Sequence, residues 1–221
     1  MKLSWLNNSG NGSLILFFSG WSVEPEHMGF LECSHFDVAM LHRYDSFDIP
    51  DGIDFAKYDE VIAVTYSFGV FTGLTALSKI NFSGEIFAVN GTMKPVDNRF
   101  GIRKMVFDKT LANLNEETLD QFRKNMFADS PSYETFAKSS KFINNIDGLK
   151  KELEFIRDNS EKGSSDLSKV QKVLISKSDR IIFSKNQVDF WNDFNYVLID
   201  GGHFPFYGFK SWGEIVQLCR Q

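Results

Sequence analysis

Residues 60–72 constrain the fold more than any other stretch, because they place a serine between an unbroken apolar run and a helical pattern. Residues 61–65 are apolar or β-branched without alternation, which is typical of a strand buried on both faces of a sheet. From residue 70 to residue 80 the apolar residues recur at helical spacing. Ser67 is therefore predicted to lie in a tight turn that joins a buried strand to a helix.

A serine in such a turn is the arrangement of the nucleophile elbow of α/β-hydrolases, in which a strained backbone raises the hydroxyl above the sheet. Small residues are needed two positions before and two positions after the serine, since strand and helix pass close together there. Gly69 meets this need, whereas Thr65 replaces the usual glycine. The motif alone also fits an ordinary turn with Ser67 as a helix N-cap, so the interpretation depends on partner residues.

A second unbroken apolar run, residues 13–19, leads into Gly20 and Trp21. In α/β-hydrolases the loop after this strand supplies one backbone N–H of the oxyanion hole, and the residue after the nucleophile supplies the other. We therefore expect the N–H groups of Trp21 and Phe68 to form an oxyanion hole, and both residues to contact the substrate. The alternative is a simple turn with a core aromatic residue.

Two later strand patterns, residues 170–176 and 196–199, are each followed by a residue that could assist the serine. Asp179 lies just past the first strand. His203 follows the second strand after a pair of glycines, which allow the loop to turn its imidazole towards the serine. The chain order Ser67, Asp179, His203 is that of an α/β-hydrolase triad, so we expect these three residues to be catalytic.

Other acids and histidines are weaker candidates. Asp200 is so close to His203 in sequence that its orientation is doubtful, and Asp189 falls in an apparent helix. Three histidines precede the serine and lie near predicted strand ends or in a turn, where such residues often face solvent or cap the chain: His27, His35 and His42.

Composition limits the classes of function. A chain of 221 residues is long enough for one α/β domain with a large core. The net charge of −5 argues against a nucleic-acid partner, and the apolar runs are too short to cross a bilayer. Cys33 and Cys219 lack the spacing of a metal site or a disulfide framework. We expect a soluble, cytoplasmic protein with a single domain; its oligomeric state is not readable from the sequence, although a monomer is favoured.

The pattern changes between residues 110 and 165, where apolar residues recur at helical spacing with no strand among them. An insertion between late strands of a hydrolase is usually a lid. The predicted architecture is therefore a mostly parallel central sheet flanked by helices, formed by residues 1–109 and 166–221, with a helical lid formed by residues 110–165.

Six short segments carry a resemblance to a known family: residues 17–21, 66–70, 88–92, 97–102, 178–181 and 202–203. Together they resemble the BioG family of pimeloyl-[acyl-carrier protein] methyl ester carboxylesterases. The resemblance implies hydrolysis of the methyl ester of a pimeloyl chain held on acyl carrier protein, with release of methanol, in biotin synthesis and without a metal or organic cofactor. Family members commonly have Trp-Ser-Met-Gly at the elbow, where this chain has Tyr66 and Phe68, so the pocket shape is expected to differ.

The implied partner, acyl carrier protein, is acidic, and so is this chain; docking therefore requires a local basic face. Arg123 and Lys124 are the candidates for this face, although charges on a helix also occur without any partner. Alternative functions remain open at this stage: a general short-chain carboxylesterase, an acyl thioesterase, or a hydrolase-like binding protein with an inactive serine.

Overall fold

The computed structural model describes residues 1–80, 82–140, 145–163 and 166–221. Its centre is a seven-stranded sheet in the order β1-β3-β2-β4-β5-β6-β7. The strands are β1 Lys2–Asn7, β2 Ser13–Phe18, β3 Phe36–His42, β4 Glu60–Tyr66, β5 Glu85–Val89, β6 Val170–Ser176 and β7 Tyr196–Ile199. The α-helices are α1 Phe68–Lys79, α2 Lys104–Ala112, α3 Glu116–Asn125, α4 Ser130–Ser140, α5 Ile146–Asn159, α6 Ser184–Phe190 and α7 Trp212–Arg220.

All neighbouring strands are parallel except β1, which runs antiparallel to β3. The predicted α/β fold with a mostly parallel sheet is therefore confirmed. β2 and β4 are central, and their apolar residues contribute to core layers on both faces of the sheet. Phe18 pairs with Thr65 in the β2–β4 register, so both strands end at the same edge of the sheet. This register brings the loop after β2 beside the turn after β4.

The strand β1 is absent from the sequence prediction. Its sequence alternates, with polar Lys2 and Ser4 separating Leu3 and Trp5. Such alternation is typical of an antiparallel strand with one face on the core. Leu3 and Trp5 are partly buried against that core, and the antiparallel position at the edge follows from this pattern.

Helices α2 to α5 lie between β5 and β6, where the sequence predicts a helical insertion. The first of them begins at Lys104, before the predicted start at residue 110. The sequence prediction misses this beginning because Met105 and Val106 are exposed and mask the helical spacing. The predicted end, residue 165, lies outside the described residues. Buried Leu149, Leu153 and Ile156 on α5 join the same apolar cluster as the core beneath. That this insertion acts as a lid stays a prediction.

Candidate active site

The turn between β4 and α1 has the geometry of a nucleophile elbow. Ser67 has φ 56° and ψ −123°, a left-handed backbone that a serine rarely adopts. Its N–H donates to Val89 O at 2.9 Å, which ties the turn to the end of β5. A Cβ on Gly69 would lie 2.2 Å from Phe18 O, so only glycine fits where the helix crosses β2.

Thr65 occupies the position before the elbow where glycine is usual, and the structure shows how it is accommodated. The side chain is fully buried, and its hydroxyl donates to Phe87 O on β5 at 3.1 Å. The buried hydroxyl therefore has a hydrogen-bond acceptor on the neighbouring strand. The departure from the usual motif leaves the elbow intact.

The structure brings together the three residues that the sequence predicts as a triad. His203 Nε2 lies 2.8 Å from Ser67 Oγ, and His203 Nδ1 lies 2.7 Å from Asp179 Oδ2. Because a carboxylate can only accept, Nδ1 carries the proton and Nε2 is left to accept from the serine hydroxyl. All three residues are buried. The arrangement can remove a proton from Ser67 and orient the imidazole that does so.

Both carboxylate oxygens of Asp179 are held by further donors. Oδ1 accepts from the N–H groups of Ile181 at 2.8 Å and Ile182 at 3.1 Å. Oδ2, which faces His203, also accepts from Gln187 Nε2 at 2.8 Å. Gln187 lies on α6 with no exposed surface, and its Nε2 also reaches Ile182 O at 2.7 Å. The sequence prediction missed Gln187. The available signal is a polar residue on the inner face of the helix that follows Asp179.

The competing acids are placed elsewhere. Asp200 is exposed and pairs with Lys177 at 2.8 Å, and Asp189 lies on α6 and pairs with Lys185 at 2.6 Å. His27 Nε2 bonds to Ser140 Oγ at 2.7 Å, and burial is the main cause that lowers its pKa to about 3. His42 faces Glu24, and His35 is exposed, so neither reaches Ser67.

The predicted oxyanion donors, the N–H groups of Trp21 and Phe68, flank the serine. Within the part of the chain that the structure describes, neither N–H donates to a protein acceptor. The loop approaches closely because Gly20 has no side chain: a Cβ there would lie 2.9 Å from Ser67 Cβ. The Trp21 indole is fixed separately, since its Nε1 donates to Leu149 O on α5 at 2.9 Å. Two unused donors near the elbow are what an oxyanion hole requires.

A cavity of about 600 Å³ opens beside the elbow between the sheet edge and the helical insertion. Trp21 and Phe68 line it on the side of the elbow. Its other walls are apolar and neutral polar side chains with two cations, Lys109 and Arg180. This volume is in the range of small-molecule pockets.

A larger hollow of about 810 Å³ lies at the opposite edge of the sheet, where β4 and β5 begin. Three of its charged residues pair with one another, since Arg220 bonds to Glu60 and Glu85. It contains none of the predicted catalytic residues. The 600 Å³ cavity is therefore the candidate substrate site.

Tyr66 forms the floor beneath the imidazole. Its ring lies 5.2 Å from that of His203, centroid to centroid, and the residue has no exposed surface. Among the described residues its hydroxyl has no hydrogen-bond partner. Burial, and then the charge of Asp179, raises the pKa of Tyr66 well above its usual value, so the phenol stays neutral.

The two predicted docking cations have different surroundings. Lys124 is exposed, and its Nζ lies 5.9 Å from the centre of the Tyr133 ring. Arg123 is only 4% exposed, and burial lowers its pKa. This placement contradicts the expectation that Arg123 faces an external partner. Arg123 is buried because it lies four residues after buried Leu119, and therefore on the side of α3 that packs inward.

With this geometry in place, comparison with known proteins identifies the family. The sequence model of the family described as "Pimeloyl-ACP methyl esterase BioG" matches residues 1–215. The chain belongs to the BioG family. The crystal structure of BioG from Haemophilus influenzae is similar over 97% of this chain and 99% of that one, with 27% identity and a TM-score of 0.88. The resemblance predicted from short segments is confirmed over nearly the whole chain.

A curated relative extends the comparison. A malonyl-[acyl-carrier protein] O-methyltransferase of Bacteroides fragilis is 30% identical over 194 residues, which is 86% of this chain. The chain spans only 39% of the length of that relative. An esterase from Exiguobacterium antarcticum has 14% identity and a TM-score of 0.68 over 99% of this chain and 92% of its own, which shows the shared α/β-hydrolase fold.

The described residues contain no group of three or more His, Cys, Asp or Glu side chains arranged to hold a metal ion. No helix in the described ranges has the length and apolar character needed to cross a membrane. Family membership and the structural neighbours together support a carboxylic ester hydrolase.

Proposed function

We propose that the protein is a serine carboxylesterase that hydrolyses the methyl ester of pimeloyl-acyl carrier protein, giving pimeloyl-acyl carrier protein and methanol in biotin synthesis. The observation that carries the proposal is the relay in which His203 lies between Ser67 and Asp179, in a chain of the BioG family. Family membership supports the choice of substrate, and the geometry of the relay supports nucleophilic attack by Ser67.

The proposed reaction begins when His203 Nε2 takes the proton of Ser67 Oγ, which attacks the ester carbonyl carbon. The N–H groups of Trp21 and Phe68 hold the negative oxygen of the tetrahedral intermediate. The carbon–methoxy bond then breaks, and methanol leaves with the proton from His203. Asp179 stabilises the charged imidazole throughout this step.

In the second half of the reaction water takes the place of methanol. His203 removes a proton from the water, and the resulting oxygen attacks the acyl carbon that is bound to Ser67. The acyl–oxygen bond to the enzyme breaks, and Ser67 regains its proton from His203. The product is a free carboxyl at the far end of the carrier-bound chain. No proton or electron is needed beyond those of water.

The cavity beside the elbow suits an unbranched acyl chain. Its aliphatic and aromatic lining includes Phe107, Phe122 and Leu153, which supply apolar surface along the path to Trp21. An acyl chain gains about 0.8 kcal/mol for each methylene removed from water. The methyl ester would reach the elbow, and the thioester would stay towards the cavity mouth.

The mouth of the cavity supports docking of an acidic carrier protein. Lys109 and Arg180 are exposed, line the cavity and form no ion pair within the described residues. Arg180 also borders a smaller hollow of about 250 Å³ together with Lys124. We therefore propose Lys109, Lys124 and Arg180 as the docking cations in place of Arg123. The name of the Bacteroides relative, a malonyl-[acyl-carrier protein] methyltransferase, supports a carrier-bound substrate.

Charge reversal tests the docking surface. Lys109→Glu combined with Arg180→Glu should raise KM for the carrier-bound ester at least about tenfold, while the hydrolysis of a small soluble ester is retained. The matched control reverses two lysines that precede β4 and β6 at the opposite edge of the sheet, Lys57→Glu with Lys169→Glu. Equal KM values for the two double variants would contradict the proposal that Lys109 and Arg180 dock the carrier protein, and would leave the esterase proposal standing.

A second function, acyl thioester hydrolysis, is separated from the first by the product. The enzyme is incubated with the methyl ester of pimeloyl-acyl carrier protein, and methanol and free carrier thiol are measured in the same sample. We expect methanol without thiol, and neither product from Ser67→Ala. Thiol release in excess of methanol would establish the thioesterase instead, since fold and triad alone do not set the substrate.

A further inference from the structure

Asn90 follows β5 directly, at the edge of the sheet where the relay lies. It has no exposed surface, and its φ of 47° places it in the left-handed region. Asparagine tolerates this backbone better than most residues, but the conformation is still unfavourable unless surrounding contacts enforce it. Those contacts come from the side chain of Asn90 itself.

The carboxamide of Asn90 joins β6 to the histidine loop. Its Oδ1 accepts from Ser176 N at 2.7 Å, and its Nδ2 donates to Ser176 Oγ at 2.7 Å. The same Nδ2 donates to His203 O at 2.8 Å and approaches Gly202 O at 3.3 Å. Only an amide offers an acceptor together with two donors in this geometry. A carboxylate of the same shape would face the His203 carbonyl without a proton to donate.

The end of β5 also contacts the nucleophile. Ser67 N–H donates to Val89 O at 2.9 Å, one residue before Asn90. On the other side, a Cβ on Gly91 would lie 2.4 Å from Ser67 O. One short segment therefore holds the backbone of Ser67 through its main chain and the backbone of His203 through the side chain of Asn90.

We propose that Asn90 is a positioning residue of the relay: its carboxamide fixes the main chain of His203 relative to Ser67, which keeps Nε2 within hydrogen-bonding reach of the serine hydroxyl. The proposal rests on the esterase proposed above only through the activation of Ser67 by His203. It does not depend on the identity of the substrate. Misplacement of a catalytic group by about 1 Å can reduce a rate on the order of a hundredfold.

The test is a double-mutant cycle between positions 90 and 203. The second-order rate of Ser67 labelling by a fluorophosphonate probe is measured for the unchanged chain, Asn90→Gly, His203→Ala and the combined variant. Glycine is chosen because it accepts the positive φ at position 90 without strain. We expect Asn90→Gly to slow labelling at least about tenfold when His203 is present, and less than about twofold in the His203→Ala background.

Asn90→Asp is a second variant that keeps the shape and removes the donors, and it should lower the rate in the same dependent manner. Ser176→Ala is the matched control, because it deletes one acceptor of the carboxamide and leaves the contact with His203 O intact. Its labelling rate should stay within about threefold of that of the unchanged chain.

Equal slowing by Asn90→Gly in both backgrounds would overturn the proposal, because a merely structural residue acts whether or not the imidazole is present. Loss of folding in both Asn90 variants, measured by thermal unfolding, would also overturn it in favour of a structural role. The probe carries no acyl group, so its reaction with Ser67 does not depend on the proposed substrate. If the unchanged protein is labelled normally but releases no methanol from the carrier-bound ester, the proposed substrate is refuted and this inference stands.

Discussion

Raising the pH from about 5 to about 8 should weaken the fold through the buried carboxyl of Glu152. Glu152 lies on α5 and is 4% exposed, with Oε1 accepting from Tyr44 N at 3.2 Å. Burial raises its pKa from 4.5 to about 8. The Tyr44 N–H and the charges of Arg43 and the N-terminal amine act in the opposite direction, whereas the charge of Glu24 raises the pKa further.

The sign of the effect follows from proton binding. Below pH 4.5 the carboxyl is protonated in both the native and the unfolded chain, and the stability that it contributes is fully present. Between pH 4.5 and about 8 the unfolded chain releases the proton while the native chain keeps it. The free energy of unfolding then falls by about 1.4 kcal/mol per pH unit from this group. The whole loss, complete above the native pKa, is at most about 5 kcal/mol.

The assay is urea unfolding at a series of pH values for the unchanged chain and for Glu152→Gln, which keeps the acceptor for Tyr44 N. The variant should gain stability over the unchanged chain by about 1.4 kcal/mol per pH unit between about pH 5 and pH 8, and the two curves should run parallel at higher pH. Glu154→Gln, a partly exposed position on the same helix, is the control. Parallel curves for Glu152→Gln and the unchanged chain from about pH 5 upward would refute the reasoning.

Three further substitutions test separate parts of the site. Gln187→Leu removes a donor from the Oδ2 of Asp179, so kcat should fall on the order of tenfold with KM unchanged; an unaltered kcat would contradict this role. Tyr66→Phe deletes a buried hydroxyl that has no partner among the described residues, and should raise the unfolding free energy in urea by about 1 kcal/mol; a decrease would show a partner. Gly69→Ala brings a Cβ to 2.2 Å from Phe18 O, so both probe labelling and the thermal midpoint should drop; a variant with normal values of both would disprove the steric argument.

The sheet is largely predictable because its strands are doubly buried. Unbroken apolar runs give β2 and β4 directly, since parallel strands covered on both faces need no polar side. β1 is missed because an edge strand of short alternating sequence gives a weak signal. The start of α2 is missed for a related reason: Met105 is 75% exposed beside the cavity, which hides the division into a buried and a solvent face.

The candidate relay is predictable from chain order, since the carboxyl ends of parallel strands meet at one edge and each of the three residues follows a strand. The residues that support it are not. Asn90 meets partners 86 and 113 residues further along the chain, and nothing local encodes those contacts. Gln187 meets Asp179 only eight residues away, but its sole local signal is a polar residue on the inner face of a helix. The prediction that Arg123 faces outward is wrong because Arg123 lies one helical turn after Leu119, on the buried side of α3.

The central claim is that Ser67 is a nucleophile activated by His203. The most direct measurement is the intact mass of the protein after treatment with a fluorophosphonate, followed by peptide mapping of the modified residue. The account predicts a single probe group on Ser67, no modification of Ser67→Ala, and strongly slowed modification of His203→Ala. Labelling of Ser67→Ala at the rate of the unchanged chain, or an unchanged chain that takes up no probe, would contradict it.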